Sequence, residues 1–137
     1  MLEEVNKIFA ILQRTNPLEE KSVPILLANQ SKLSALLGNI GVMGAHARYQ
    51  SDMKELEAKN FEADRFLVHK LNGFTDAKAR YASKLDAEKK LKEAITAKHY
   101  YNEINNVLSA MEKMIMSCQV SLKHKEYDRS SSNYHTN

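Results

Sequence analysis

Toward the carboxyl end, apolar residues recur at alternating four- and three-residue steps: Ile104, Leu108, Met111, Ile115, Cys118 and Leu122. That alternation is the a/d signature of a helix packed along its length against other helices. Tyr101 continues it backward, after which the row becomes Ala97, Ala94, Lys90, Ala87, Ser83 and Arg80. The seam therefore changes from large and apolar to small and basic. Near the amino end, Val5, Ile8, Phe9 and Leu12 share one helical face and predict a short helix from Leu2 to about Arg14. The stretch from Thr15 to Ser22 interrupts it. There Asn16, Pro17 and Glu19 fit the cap, first and third positions of a single turn.

Pro24 suits the first turn of a new helix, where its missing N–H costs nothing. The pattern stays helical from Pro24 to about Asn72. Its stripe is clear at Leu33, Leu37, Ile40, Gly44 and Ala47, blurs across 50–60, and resumes at Ala63, Leu67 and Leu71. Gly38, Gly41 and Gly44 sit inside this helix, each at a cost of about 1 kcal/mol against Ala. Their spacing predicts close helix contact or a kink. No strand precedes them, so a phosphate cradle is not expected. Asn72-Gly73-Phe74-Thr75 is a turn in which Gly73 supplies a left-handed residue, Phe74 folds back and Thr75 caps the next helix. That helix runs from Asp76 to about Tyr127, and 130–137 reads as a loose polar tail. The expected fold is all-α. A short N-terminal helix precedes a long antiparallel helical hairpin, in one domain spanning 1–129. A lone hairpin does not cover the large apolar seam, which predicts homo-oligomerisation through Tyr101, Ile104, Leu108, Met111, Ile115, Cys118 and Leu122.

Composition narrows this picture. The chain has 137 residues, with 4 Gly, 2 Pro, no Trp and 7% aromatics, a balance that suits long helices and a modest core. The longest apolar run, Val23 to Ala28, is too short to span a bilayer, and the Met-Leu-Glu-Glu start lacks the pattern of a secretory signal. A single cysteine, Cys118, forms no internal disulfide and suits a reducing compartment. A cytoplasmic protein without membrane contact is expected.

No catalytic constellation is present. His46, His69, His99, His124 and His135 lack metal-ligand spacing, and Cys118 has no cysteine partner, so neither metal nor other cofactor is expected. Asp86/Lys90 and Glu88/Lys92 place the acid four residues before the base, which stabilises a helix and performs no acid–base chemistry. The chain is expected not to be an enzyme.

The net charge is +3 and the isoelectric point about 8.9. Lys59, Arg65 and Lys70 approach the hairpin turn, and Lys78, Arg80 and Lys84 leave it. Phe66, Phe74 and Tyr81 lie among them. Cations interleaved with aromatic platforms are what single-strand binders use to hold phosphates and stack bases. The same charges also suit a solvated helix face. Two classes therefore stand side by side: a nucleic-acid binder, and a helical interaction or assembly protein that binds none.

The run from Leu85, Ala87 and Lys89 through Thr96, Tyr100-Tyr101, Ser109 and the Ile115-x-Ser117 step to Leu122-Lys123-His124 resembles the recombination mediators of T-even bacteriophages, the UvsY-like proteins. In that family a basic cluster before the hairpin turn contacts DNA, and here Arg65 and Lys70 stand there. Cys118 stands where the family carries a basic residue. The resemblance implies a non-enzymatic accessory of homologous recombination, placed in the host cytoplasm. It implies a homo-oligomer, formed through the C-terminal helix, that binds single-stranded DNA. It also implies help to a strand-exchange recombinase in replacing the single-strand-binding protein.

Overall fold

The computed structural model describes residues 2–16, 19 and 21–135, with side chains as far as position 129. The chain folds as three helices: α1 (Leu2–Arg14), α2 (Ser22–Leu71) and α3 (Asp76–His135). Helices α2 and α3 pack against each other as a hairpin after the short α1, as the periodicity predicts. Contacts group the chain into two compact units, one of Met1–Val42 with Asn106–Asn137, the other Met43–Asn105.

The first unit packs three helical segments. Its core is built of large side chains: Val5 and Ile8 of α1, Leu26, Leu33 and Ile40 of α2, and Met111 and Cys118 of α3. Asn29, buried with them, donates through its amide to the Ile25 carbonyl at 2.7 Å, so burial leaves that group bonded within its own helix. Helix α2 starts at Ser22, two residues before Pro24. The Ser22 N–H and hydroxyl both donate to the Glu19 carbonyl, at 3.0 and 2.5 Å. Pro24 is accommodated because the third residue of a helix has no intrahelical acceptor for an N–H. Just before it, the Glu19 N–H donates to the Asn16 carbonyl at 3.2 Å. Pro17, the expected first position of that turn, lies outside the described residues. The Lys125 ammonium donates to the Glu19 carbonyl, tying α3 to the connection.

The second unit pairs two helices over mostly small side chains, with Ile104 as the large exception near its end. Ala47, Ser51 and Ala58 of α2 and Ala79, Ser83, Ala87 and Ala94 of α3 are buried. Two helices need only a thin seam, and methyl- and hydroxyl-sized groups let their backbones approach closely. The pairing runs antiparallel, since Lys54 meets Glu93 while the later Arg65 meets the earlier Asp86.

The turn forms as expected. Gly73 has φ of +85°, its N–H donates to the Lys70 carbonyl at 3.0 Å, and the Phe74 N–H donates to the His69 carbonyl at 3.1 Å. Those two bonds are the Schellman closure of α2. The Phe74 ring folds back onto His69, with centroids 5.0 Å apart. Thr75 caps α3 by accepting from the Lys78 N–H at 3.4 Å.

Three expectations change. Positions 130–135 are helical, because nothing after Thr75 is Gly or Pro and the backbone ladder continues through weak helix formers. Gly38 and Gly41 mark neither contact nor break: α2 is unbroken, and a Cβ at either would meet nothing within 4 Å. The large seam of α3 is in good part consumed by the chain's own core. Ile104, Met111 and Cys118 are 1%, 0% and 2% exposed, and Tyr101, Leu108, Ile115 and Leu122 are partly buried. A charge at Leu108 or Ile115 therefore strikes the chain's own packing before any assembly. Burial also raises the Cys118 thiol above its ordinary pKa, which keeps it protonated and inert.

Candidate nucleic-acid interface

Within the second unit, the two flanks of the α2–α3 seam differ in kind. On one flank, opposite charges close the seam. Asp86 accepts from Arg65 at 2.8 Å and contacts His69 Nε2 at 2.7 Å, and Lys54 pairs with Glu93 at 3.7 Å. The Lys90 ammonium lies 5.3 Å from the Phe61 ring centroid on the same flank. Arg65, followed by His69, holds the Asp86 carboxyl below the usual carboxylate range.

The other flank is open. A groove of about 550 Å³ runs there, lined by Lys59, Glu62, Ala63, Phe66, Leu67, Arg80, Ser83 and Lys84. A smaller hollow of about 200 Å³ shares Lys59 and reaches Lys98 and Ile95. Helical geometry explains the row: Arg80, Lys84, Leu91 and Lys98 are four, seven and seven residues apart, so they ride one edge of α3. The groove and the hollow together offer four cations, Lys59, Arg80, Lys84 and Lys98, against two carboxylates, Glu55 and Glu62. Lys59 pairs with Glu55 at 3.0 Å and depresses its carboxyl pKa. Neither Arg80 nor Lys84 is ion-paired with a carboxylate of the described residues.

The six cations expected to act together are therefore sorted. Lys59, Arg80 and Lys84 converge on the groove around Phe66. Arg65 belongs to the Asp86 triad on the opposite flank. Lys70 sits at the turn, 2.6 Å from Asp76 and 3.3 Å from the Phe74 carbonyl. It lowers the Asp76 pKa, with Arg80 adding attraction from farther away. Lys78 stands 5.9 Å from the Phe74 ring centroid. Lys98 was not among the expected residues, although its fourteen-residue separation from Lys84 is the signal that puts it on the same edge.

The groove can accept an extended polyanion: ammonium and guanidinium groups line it together with one aromatic ring and its aliphatic neighbours. Among the described residues, no cluster of His, Cys, Asp and Glu could hold a metal ion, and no helix is long and apolar enough to cross a membrane. Compared with models of protein families, with curated proteins and with solved structures, the chain matches none.

Proposed function

We propose that this chain binds single-stranded nucleic acid along the open flank of its hairpin. In this reading it acts as a recombination mediator, a homo-oligomeric accessory that helps a strand-exchange recombinase replace single-strand-binding protein. The observation that carries the binding half is the groove itself, where Arg80 and Lys84, neither of them ion-paired with a carboxylate of the described residues, share the lining with Lys59 and Phe66. The phosphates supply the missing counter-charges, and Phe66 offers a stacking surface that tolerates any base. The mediator half rests on the C-terminal resemblance to UvsY-like proteins. Repeating a weak groove in an oligomer raises its avidity without new contacts.

Fluorescence anisotropy with a labelled oligonucleotide tests this reading. Arg80→Ala with Lys84→Ala should weaken binding strongly, while Arg65→Ala should leave it near wild type, because Arg65 lies in the triad. Each phosphate contact in single strands contributes about −0.7 to the slope of log affinity against log salt, so three groove cations predict a slope near −2 per protomer. Phe66→Leu should cost roughly 1–3 kcal/mol by removing one stacking surface. Equal binding by the double variant removes the groove from the assignment. No binding by the native chain favours the second reading, a helical assembly protein, for which the apolar groove lining of Ala63 and Leu67 is the supporting feature.

A further inference from the structure

The outward face of α2 carries a second heptad row, distinct from the one it buries. Tyr49, Met53, Leu56, Ala63, Leu67 and Leu71 are all exposed, while Ala47, Ser51 and Ala58 of the same helix are buried. From Tyr49 to Leu67 the steps are four, three, four, three and four, with Asn60 the one polar member. Leu56, Leu67 and Leu71 are 52%, 60% and 88% exposed. Single exposed apolar residues are ordinary, but an unbroken a/d row is what a helix shows when another helix covers it. The outward face of α3 in this unit exposes Tyr81, Leu85 and Ile95, but Glu88 and Lys92, paired with each other at 3.1 Å, interrupt the row at its centre.

We infer that this row is a parallel two-helix interface with the α2 of a second copy of the chain. The row assigns Met53, Asn60 and Leu67 to a positions, and Tyr49, Leu56 and Ala63 to d positions. In a parallel pair, a residue at a meets itself. Asn60 would face Asn60, and a lone Asn at such a position fixes the register and the two-stranded state at some cost in stability. A foreign apolar helix would leave that amide without a partner. Charge selects the direction. In the parallel pair Lys59 lies opposite Asp64 of the other copy, and Phe66 lies opposite Leu71. The antiparallel register centred on the row sets Lys59 against Lys59 and Glu57 against Glu57. One parallel contact is unfavourable, Asp52 against Glu57, and it supplies a test. Ala63 and Leu67 form the edge shared with the groove, so a second copy would raise that wall. The inference stands independently of nucleic-acid binding.

Sedimentation equilibrium of the full chain alone decides it. The native chain should associate, and Leu56→Glu with Leu67→Glu should halve the mass at the same concentration with unchanged helical circular dichroism. Asp52→Lys should tighten association, since it converts the unfavourable contact into an opposite-charge pair. Asn60→Cys should give a disulfide-linked dimer under oxidation, whereas the buried Cys118 of the native chain should give none. If the Glu variant fails to fold, the cysteine cross-link decides. A native chain of single-copy mass at every concentration would overturn the inference and assign the row to a different partner. An unchanged mass in the Glu variant, or no cross-link at position 60, would overturn it as well.

Discussion

Gly38 and Gly41 sit within an unbroken helix, and the space around each would admit a methyl group. Nothing at these positions repays their backbone entropy, so Gly38→Ala and Gly41→Ala should each stabilise the chain by about 1 kcal/mol. Urea midpoints measured against the native chain check this. Gly73 is the opposite case, because its φ of +85° is a conformation that a side chain resists. The sequence distinguishes the two kinds of glycine only by context, since a turn signal surrounds Gly73 and none surrounds the others. Asp86 makes a second residue-scale prediction. Its carboxyl is held low in the folded chain by Arg65 and His69, and it returns to its ordinary value on unfolding. Its contribution is therefore complete above the ordinary carboxylate range and is lost as pH falls from about 5 toward the depressed value. Asp86→Asn should flatten that part of the acid limb, as read from urea midpoints across the range. Superimposable limbs would mean that the triad contributes no stability.

At the scale of elements, helix starts and the turn were readable because they rest on local chemistry. The Thr75 hydroxyl, the Gly73 conformation and the placement of Asp76 in the first turn of α3 need only neighbours a few residues away. The blurred stretch of α2 across 50–60 was not readable as a single stripe, and the structure explains why. Its buried positions are small, Ser51 and Ala58, while larger Met53 and Leu56 face outward. Size and burial therefore run in opposite senses there, and hydrophobicity alone misplaces the inner face: the stripe expected to resume at Ala63, Leu67 and Leu71 lies on the exposed side. The end of α3 was misread for a different reason: a serine-rich segment has low helix propensity, yet it contains no residue that breaks the ladder. The two packing modes also respond differently to substitution. Met111→Ala should cost roughly 2–5 kcal/mol by opening a cavity in the three-helix core. Ala87→Leu should cost about 1–3 kcal/mol by overfilling the thin seam of the hairpin. Chemical denaturation of both variants checks the pair.

At the scale of the whole molecule, the sequence by itself determined the all-α class, the three helices, the turn and the a/d seam of α3. Each follows from periodicity and capping within a few turns of chain. It also determined that cations gather near the turn, but not which of them act together. Their distribution was decided in space, where Asp86, distant in sequence, draws in Arg65 and His69, Asp76 holds Lys70, and Arg80 and Lys84 remain beside Phe66. The tertiary structure likewise decided that Ile104, Met111 and Cys118 serve the chain's own core, and that the outward row of α2 is left uncovered. The physical reason is common to both cases. A pattern along the chain states that a face must be covered or a charge balanced, while the choice of partner depends on which distant groups folding brings within a few ångströms.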